Sequence, residues 1–187
     1  MVDPVDLHGA VRIRWGNPAQ PFLSTYLTQL DQALLVWGGA TAAIFLIAQF
    51  YVFSWTLQAL IWSALSGVAT LISGKLGWFW VTRRQQRWIL YTWSFLVLMG
   101  LLLTTYGVFA GLPIVLVNLC AIWLVLCAVG YFATGIGIHA PAFLLSGAVH
   151  LAVIPALLTF PAWQFFWTGV TMSGCLLCLA LLQWQHQ

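Results

Sequence analysis

His150 is the residue in this chain best placed to do chemistry. It stands midway along an apolar run from Pro141 to about Phe160, and an ionisable group in the middle of such a run is a functional-site hypothesis by default. Three roles are open to the imidazole. It can ligate a haem or chlorophyll-type pigment, or line a proton or solute path. It can also be a neutral structural group bonded to Ser146 one turn earlier, or to Thr171 or Ser173 at similar depth on the next run. A bis-histidine haem needs a second histidine facing the first. His139 and His186 fall at the edges of apolar runs and His8 in the N-terminal tail, which leaves only a single-histidine site.

Cys175-Leu-Leu-Cys178 matches C-x-x-C. Thiol redox chemistry needs an exposed thiol of depressed pKa, whereas this pair lies well inside an apolar run. Its expected role is small-residue packing, and the same holds for Cys120 and Cys127, seven apart on one face of another run. All four cysteines sit in apolar stretches, so neither a disulfide framework nor a solvated zinc site is expected.

Gln49 and Asn118 are the amides expected inside the membrane, each in the outer half of its run. They could meet across a helix contact, where such bonds contribute about 0.6–2 kcal/mol, or line a solute path with Ser146, His150, Thr171 and Ser173. The small residues Ser63, Ser66, Gly67, Thr70 and Gly74 form one stripe at helical spacing, a face suited to close helix packing. Gly39 with Ala43, and Gly169 with Ser173, repeat the theme. The carboxylates are Asp3, Asp6 and Asp31 alone, so paired-carboxylate acid–base chemistry and a carboxylate-based proton pump are both disfavoured.

The elements that must position these residues follow from composition. The chain is 63% hydrophobic and 5% charged, against about 25% charged for a soluble domain. An apolar surface of that extent aggregates in water and is at home in lipid. Nucleic acid is excluded as a partner, because six basic residues are too few for a phosphate-tracking surface. The expected fold is an all-α, polytopic bundle of six transmembrane helices at about 33–53, 57–80, 88–110, 113–132, 141–160 and 161–182, each near the twenty apolar residues that a bilayer requires. The stretch 133–140, with Thr134, Gly135 and Gly137, reads as a loop. Pro155 interrupts the fifth segment and leaves open whether it is kinked or re-entrant.

Residues 1–32 form a short cytoplasmic or interfacial segment ahead of the bundle. Val11-Arg12-Ile13-Arg14-Trp15 alternates as a strand does, whereas Leu23, Tyr26, Leu27 and Leu30 recur at helical spacing, so an interfacial helix there is also open. Arg83, Arg84 and Arg87, with Lys75, place the second loop in the cytoplasm, and Arg12 with Arg14 place the N-terminus there. Six crossings then return the C-terminus to the same side. Trp55, Trp78, Trp80, Trp88, Trp163 and Trp184 fall at the ends of runs, as interfacial indoles do. Trp37, Trp62, Trp93, Trp123 and Trp167 lie deeper and read as lipid-facing or packing bulk.

With so little chemistry and so many packing faces, the expected function is a non-enzymatic membrane subunit that packs against, assembles or stabilises a larger membrane complex. Its partners would be the bilayer and other membrane subunits, in a prokaryotic inner membrane or another energy-transducing one. The alternatives are a small channel or transporter for a neutral solute, and a haem- or chlorin-binding protein centred on His150. Lipid, haem and a chlorophyll-type pigment are the ligands that these readings admit. Side chains converging on one cavity favour transport, whereas side chains pairing off between helices favour the subunit.

Overall fold

The computed structural model describes residues 8–17 and 20–181; Asp3, Asp6, Trp184 and His186 lie outside the described residues. A two-stranded antiparallel hairpin, β1 (Val11–Asn17) and β2 (Gln20–Leu27), comes first. It pairs from Val11 with Leu27 to Asn17 with Gln20 and carries a bulge at Trp15/Gly16. The alternation in 11–15 therefore gives a strand. The helical spacing of Leu23, Tyr26 and Leu27 does not give a helix, because residues 20–27 pair with β1 across the hairpin instead.

Helix α1 (Gln29–Phe50) starts earlier than residue 33 because Thr28 and Asp31 form a capping box. The Asp31 carboxylate accepts from the Thr28 backbone N–H at 2.9 Å and from its hydroxyl at 2.8 Å, and the Asp31 N–H donates back to Thr28 Oγ1. Two of the unpaired amides at the helix start are thus satisfied. Helix α2 (Trp55–Arg83) follows a short connection, with Ser54 as its N-cap. At 29 residues it is about 43 Å long. Helix α3 is Arg87–Phe109.

The fourth predicted segment is divided. Pro113–Val117 is a short helix, α4, and the long helix α5 begins only at Leu119. The break falls at Asn118, whose side-chain amide donates to the Ile114 carbonyl at 2.8 Å, the local competition with backbone pairing that asparagine favours. At its other end α5 continues to Gly137, so Thr134, Gly135 and Gly137 are helical and the loop shrinks to 138–140. Both glycines are close-packing positions: a methyl on Gly135 would lie 2.7 Å from Leu144, and one on Gly137 would run into the Trp88 ring. Helix α6 (Pro141–Thr159) is continuous through Pro155. A single turn of 3₁₀-helix at Pro161–Trp163 leads into α7 (Gln164–Leu181).

Six of these helices are long and apolar enough to cross a bilayer. They form a closed ring in which α1 packs on α2, α2 on α3, α3 on α5, α5 on α6, α6 on α7 and α7 back on α1, with α5 also touching α7. Close approaches of Gly38 to Leu177 and of Gly169 to Phe45 show that α1 and α7 run antiparallel, so α7 ends where α1 begins. The His8 ring stacks on Phe79 at 3.9 Å, which puts the N-terminal hairpin and the Arg83, Arg84 and Arg87 turn at that same end. The opposite end is plugged by an apolar cluster containing Phe45, Trp62, Leu119, Leu124, Leu157 and Met172.

Candidate functional site

An apolar chamber of about 150 Å³ lies inside the ring, reaching from the arginine end to half the length of the bundle. Trp37 and Thr41 of α1, Thr70 and Gly74 of α2, Trp93 and Val97 of α3, Trp123, Cys127, Tyr131 and Thr134 of α5, and Phe143 and His150 of α6 line it. Its walls are thus mainly aromatic and aliphatic.

The wall made by α3 and α5 is held by a reciprocal contact. Trp93 of α3 lies against Gly130 of α5, where a methyl would come within 2.8 Å of the indole, and its Nε1 donates to Thr134 Oγ1 at 3.1 Å. Trp123 of α5 lies against Gly100 of α3, where a methyl would come within 2.6 Å, and its Nε1 donates to Thr104 Oγ1 at 3.1 Å. Each threonine passes its own proton to the carbonyl of the glycine four residues before it, Thr134 to Gly130 at 2.8 Å and Thr104 to Gly100 at 2.7 Å. The two helices run antiparallel, so one spacing, tryptophan then glycine seven residues on and threonine four further, makes both halves.

His150 closes the deep end, about 14 Å from either end of α6. It is 0% exposed, and its ring is tilted against Tyr131 at 4.9 Å between centroids. Nδ1 lies 2.8 Å from the Ser146 carbonyl. A carbonyl only accepts, so Nδ1 carries the proton and Nε2 holds the lone pair, the tautomer assigned by the partner. That Nε2 has no hydrogen-bond partner among the described residues. Five other buried polar side-chain atoms also lack one, on Gln58, Trp62, Thr82, Gln86 and Thr168, but none of those residues lines the chamber.

Of the partners anticipated for His150, Ser146 is the one it meets, through its backbone carbonyl rather than its hydroxyl. The Ser146 hydroxyl donates to the Ala142 carbonyl at 2.9 Å and the Ser173 hydroxyl to Gly169 at 2.6 Å. Thr171 is buried but is outside the chamber. Gln49 and Asn118 do not meet. The Gln49 amide donates to the Ala162 carbonyl at 3.1 Å while its oxygen accepts from the Phe166 N–H at 3.1 Å, joining the end of α1 to the start of α7. Asn118 bonds within its own turn. Gln49, Asn118, Ser146, Thr171 and Ser173 therefore share no cavity with His150, whereas Thr41, Thr70 and Thr134 do.

The stripe on α2 is only partly covered by this chain's own helices. Ser66 is buried and accepts Thr70 Oγ1 on its carbonyl at 2.7 Å. A methyl on Gly67 or Gly74, however, would meet nothing within 4 Å. Thr70 and Gly74 border the chamber, and Ser63 is half-buried on the same helix. Arg83, Arg84 and Arg87 are exposed, with Arg83 over Phe79 and Arg87 over Trp78, each 5.4 Å from the ring centre.

A haem or chlorin does not fit the chamber. A cavity of about 150 Å³ takes one benzene-sized ring, and a tetrapyrrole carries four pyrrole rings around its metal. The cysteines are all free, and among the described residues no three His, Cys, Asp or Glu side chains group as metal ligands. The aromatic walls escape a reading of residue types alone, which takes Trp93 and Trp123 for bulk. The repeated tryptophan–glycine–threonine spacing was the available signal. No protein-family model, curated protein or solved structure matches the chain.

Proposed function

We propose that this protein is an integral membrane subunit that crosses the bilayer six times and packs against or stabilises a larger membrane assembly, rather than conducting a solute. The observation that carries this reading is the fate of the buried polar groups. Gln49 joins α1 to α7, Trp93 and Trp123 join α3 to α5, and the hydroxyls of Ser146, Thr70 and Ser173 return to their own helices. Polar side chains so arranged hold helices together, and among the described residues they form no polar file from one end of the ring to the other. The hairpin, the arginine turn and the end of α7 share one end, and the positive-inside tendency makes that end cytoplasmic. A prokaryotic inner membrane or another energy-transducing one is the setting proposed.

The test is extraction in a mild detergent, followed by mass determination of the eluting species, beside a flux assay in liposomes with glycerol. The expected result is a particle containing further membrane subunits and liposomes no more permeable than empty ones. A lone chain that carries glycerol across the liposome would overturn the proposal.

A further inference from the structure

We infer that the chamber is the acyl-chain slot of an anionic-phospholipid site: one chain enters between α2 and α3, past Gly74 and Ser94, while the lipid phosphate rests on Arg87 and Lys75. The site belongs to the single chain and is independent of any assembly with other subunits.

The mouth can be placed from the helix pair itself. Next to the turn that joins them α2 and α3 close on each other, where a methyl on Gly77 would lie 3.5 Å from Leu90. One turn deeper the closure ends. A methyl on Gly74 would meet nothing within 4 Å, Gly74 is half-buried and Ser94 exposed, and both line the chamber. A wall residue that is also exposed marks an opening, and partway along a membrane-spanning helix that opening faces lipid.

The slot has the proportions of a hydrocarbon chain. Its α2 wall runs from Thr70 to Val81, about 16 Å along the axis, so a volume of about 150 Å³, enough for one ring if compact, is drawn out and narrow. A helix about 10 Å across cannot enter it. The hydroxyls of Thr41, Thr70, Ser73 and Thr134 donate to backbone carbonyls. The Tyr131 and Ser94 hydroxyls apart, the wall therefore meets a guest with aromatic and aliphatic surface, which favours hydrocarbon.

Charge sets the headgroup end. The Arg87 guanidinium lies over Trp78, 5.4 Å from the ring centre, and so bridges α3 to α2 on the arginine side of the mouth. A guanidinium stacked by its face keeps its N–H edge for bidentate bonding to phosphate. Arg87 and Ser94 are seven residues apart on one face of α3, about 10 Å along the axis. A phosphate at Arg87 thus puts the mouth within the hydrocarbon, which begins about 5–7 Å below the headgroup surface. Lys75, exposed and next to Gly74, has the stem to reach the same level. Among the described residues the sole carboxylate, Asp31, is buried in the α1 capping box, so no exposed acid competes. The cytoplasmic leaflet, to which this end is assigned, is the one rich in anionic lipid. A neutral lipid uses the slot without the cations, and a free phosphate uses the cations without the slot. An anionic phospholipid uses both.

The test uses the purified full chain in detergent micelles with phosphatidylglycerol carrying a diazirine midway along one acyl chain, photolysed and mapped by peptide mass spectrometry, beside phosphatidylcholine with the same chains. The expected result is saturable attachment to Tyr131 or Met172, chamber residues buried from the outer surface, with phosphatidylglycerol at least about tenfold more potent than phosphatidylcholine. Lys75→Gln combined with Arg87→Gln brings the two lipids to within about threefold of each other. Gly74→Leu fills the mouth and removes attachment at Tyr131 and Met172, while attachment at the exposed Phe95 and Leu98 persists. Attachment confined to exposed positions, equal potency of the two lipids on the unaltered chain, a preference unchanged by the double substitution, or chamber attachment that survives Gly74→Leu would each overturn the site. Where a variant fails to fold, competition on the unaltered chain decides. Unlabelled phosphatidylglycerol that displaces the chamber attachment about tenfold better than unlabelled phosphatidylcholine supports the site, and equal displacement removes it.

Discussion

Gln49 near the end of α1 accepts the backbone N–H of Phe166 in the first turn of α7 at 3.1 Å, while its own amide donates to the Ala162 carbonyl at 3.1 Å. One side chain thus serves both as helix cap and as interhelical bond. Gln49→Leu leaves both backbone groups without this partner and is expected to cost about 1–3 kcal/mol. Amide hydrogen exchange checks the assignment: the Phe166 N–H should exchange faster in the variant, while exchange in α3 and α5 stays unchanged. Equal protection of Phe166 in the two proteins would refute it.

The glycines separate into two groups with opposite expected effects. Gly100→Ala and Gly130→Ala push a methyl into Trp123 and Trp93, displace each indole from its threonine, and should each lower stability by about 1–3 kcal/mol. Gly67→Ala places its methyl in open space and should be neutral or stabilising by about 0.5–1 kcal/mol. Midpoints of SDS titration in mixed micelles measure all three, and a common response would contradict the packing described.

The indole hydrogen bonds can be isolated from the indole bulk. Trp93→Phe retains a ring over Gly130 but removes the donor to Thr134, with an expected loss of about 0.6–2 kcal/mol. Combining it with Thr134→Val should cost little more than the single change if the bond is real. Full additivity in the double-mutant cycle would show that the two side chains are not coupled.

Sidedness is open to direct measurement. In a background without native cysteines, Gln85→Cys in the arginine turn and Val52→Cys between α1 and α2 should label with an impermeant maleimide from opposite faces of sealed vesicles. Both positions are exposed. The cytoplasmic face should be that of residue 85. Labelling of both from one face would refute the six-crossing reading.

The native thiols should differ in reactivity by exposure. Cys178 is exposed and Cys120 buried, so a lipid-soluble maleimide should modify Cys178 first and Cys120 last, as peptide mapping after timed quenching would show. The reverse order would mean that the helix faces are misassigned.

The long elements were legible because composition and run length mark which stretches are long and apolar enough to cross a bilayer. Their ends were less so. Thr28 and Asp31 carry a capping pattern, yet Asp31 reads as part of a polar tail until the helix start is seen. Thr134, Gly135 and Gly137 look like breakers, but a hydroxyl can bond back to its own helix and a glycine can admit a neighbour's ring, as Leu144 and Trp88 show. Asn118 looked like an interhelical amide and instead interrupts its helix. His150 was legible as the residue to examine and Ser146 as its partner, but not that the bond runs to the backbone. A backbone carbonyl one turn away carries no signature in residue types, and the chamber depends on which helices close the ring.

The mirrored tryptophans of α3 and α5 leave that pair a single vertical setting. Sliding one helix past its neighbour by a residue, about 1.5 Å, would drag both indoles off both glycines at once, because the helices run in opposite senses and neither half can follow while the other stays. The pair behaves like two pawls seated in facing notches, each blocking the slip that would free the other.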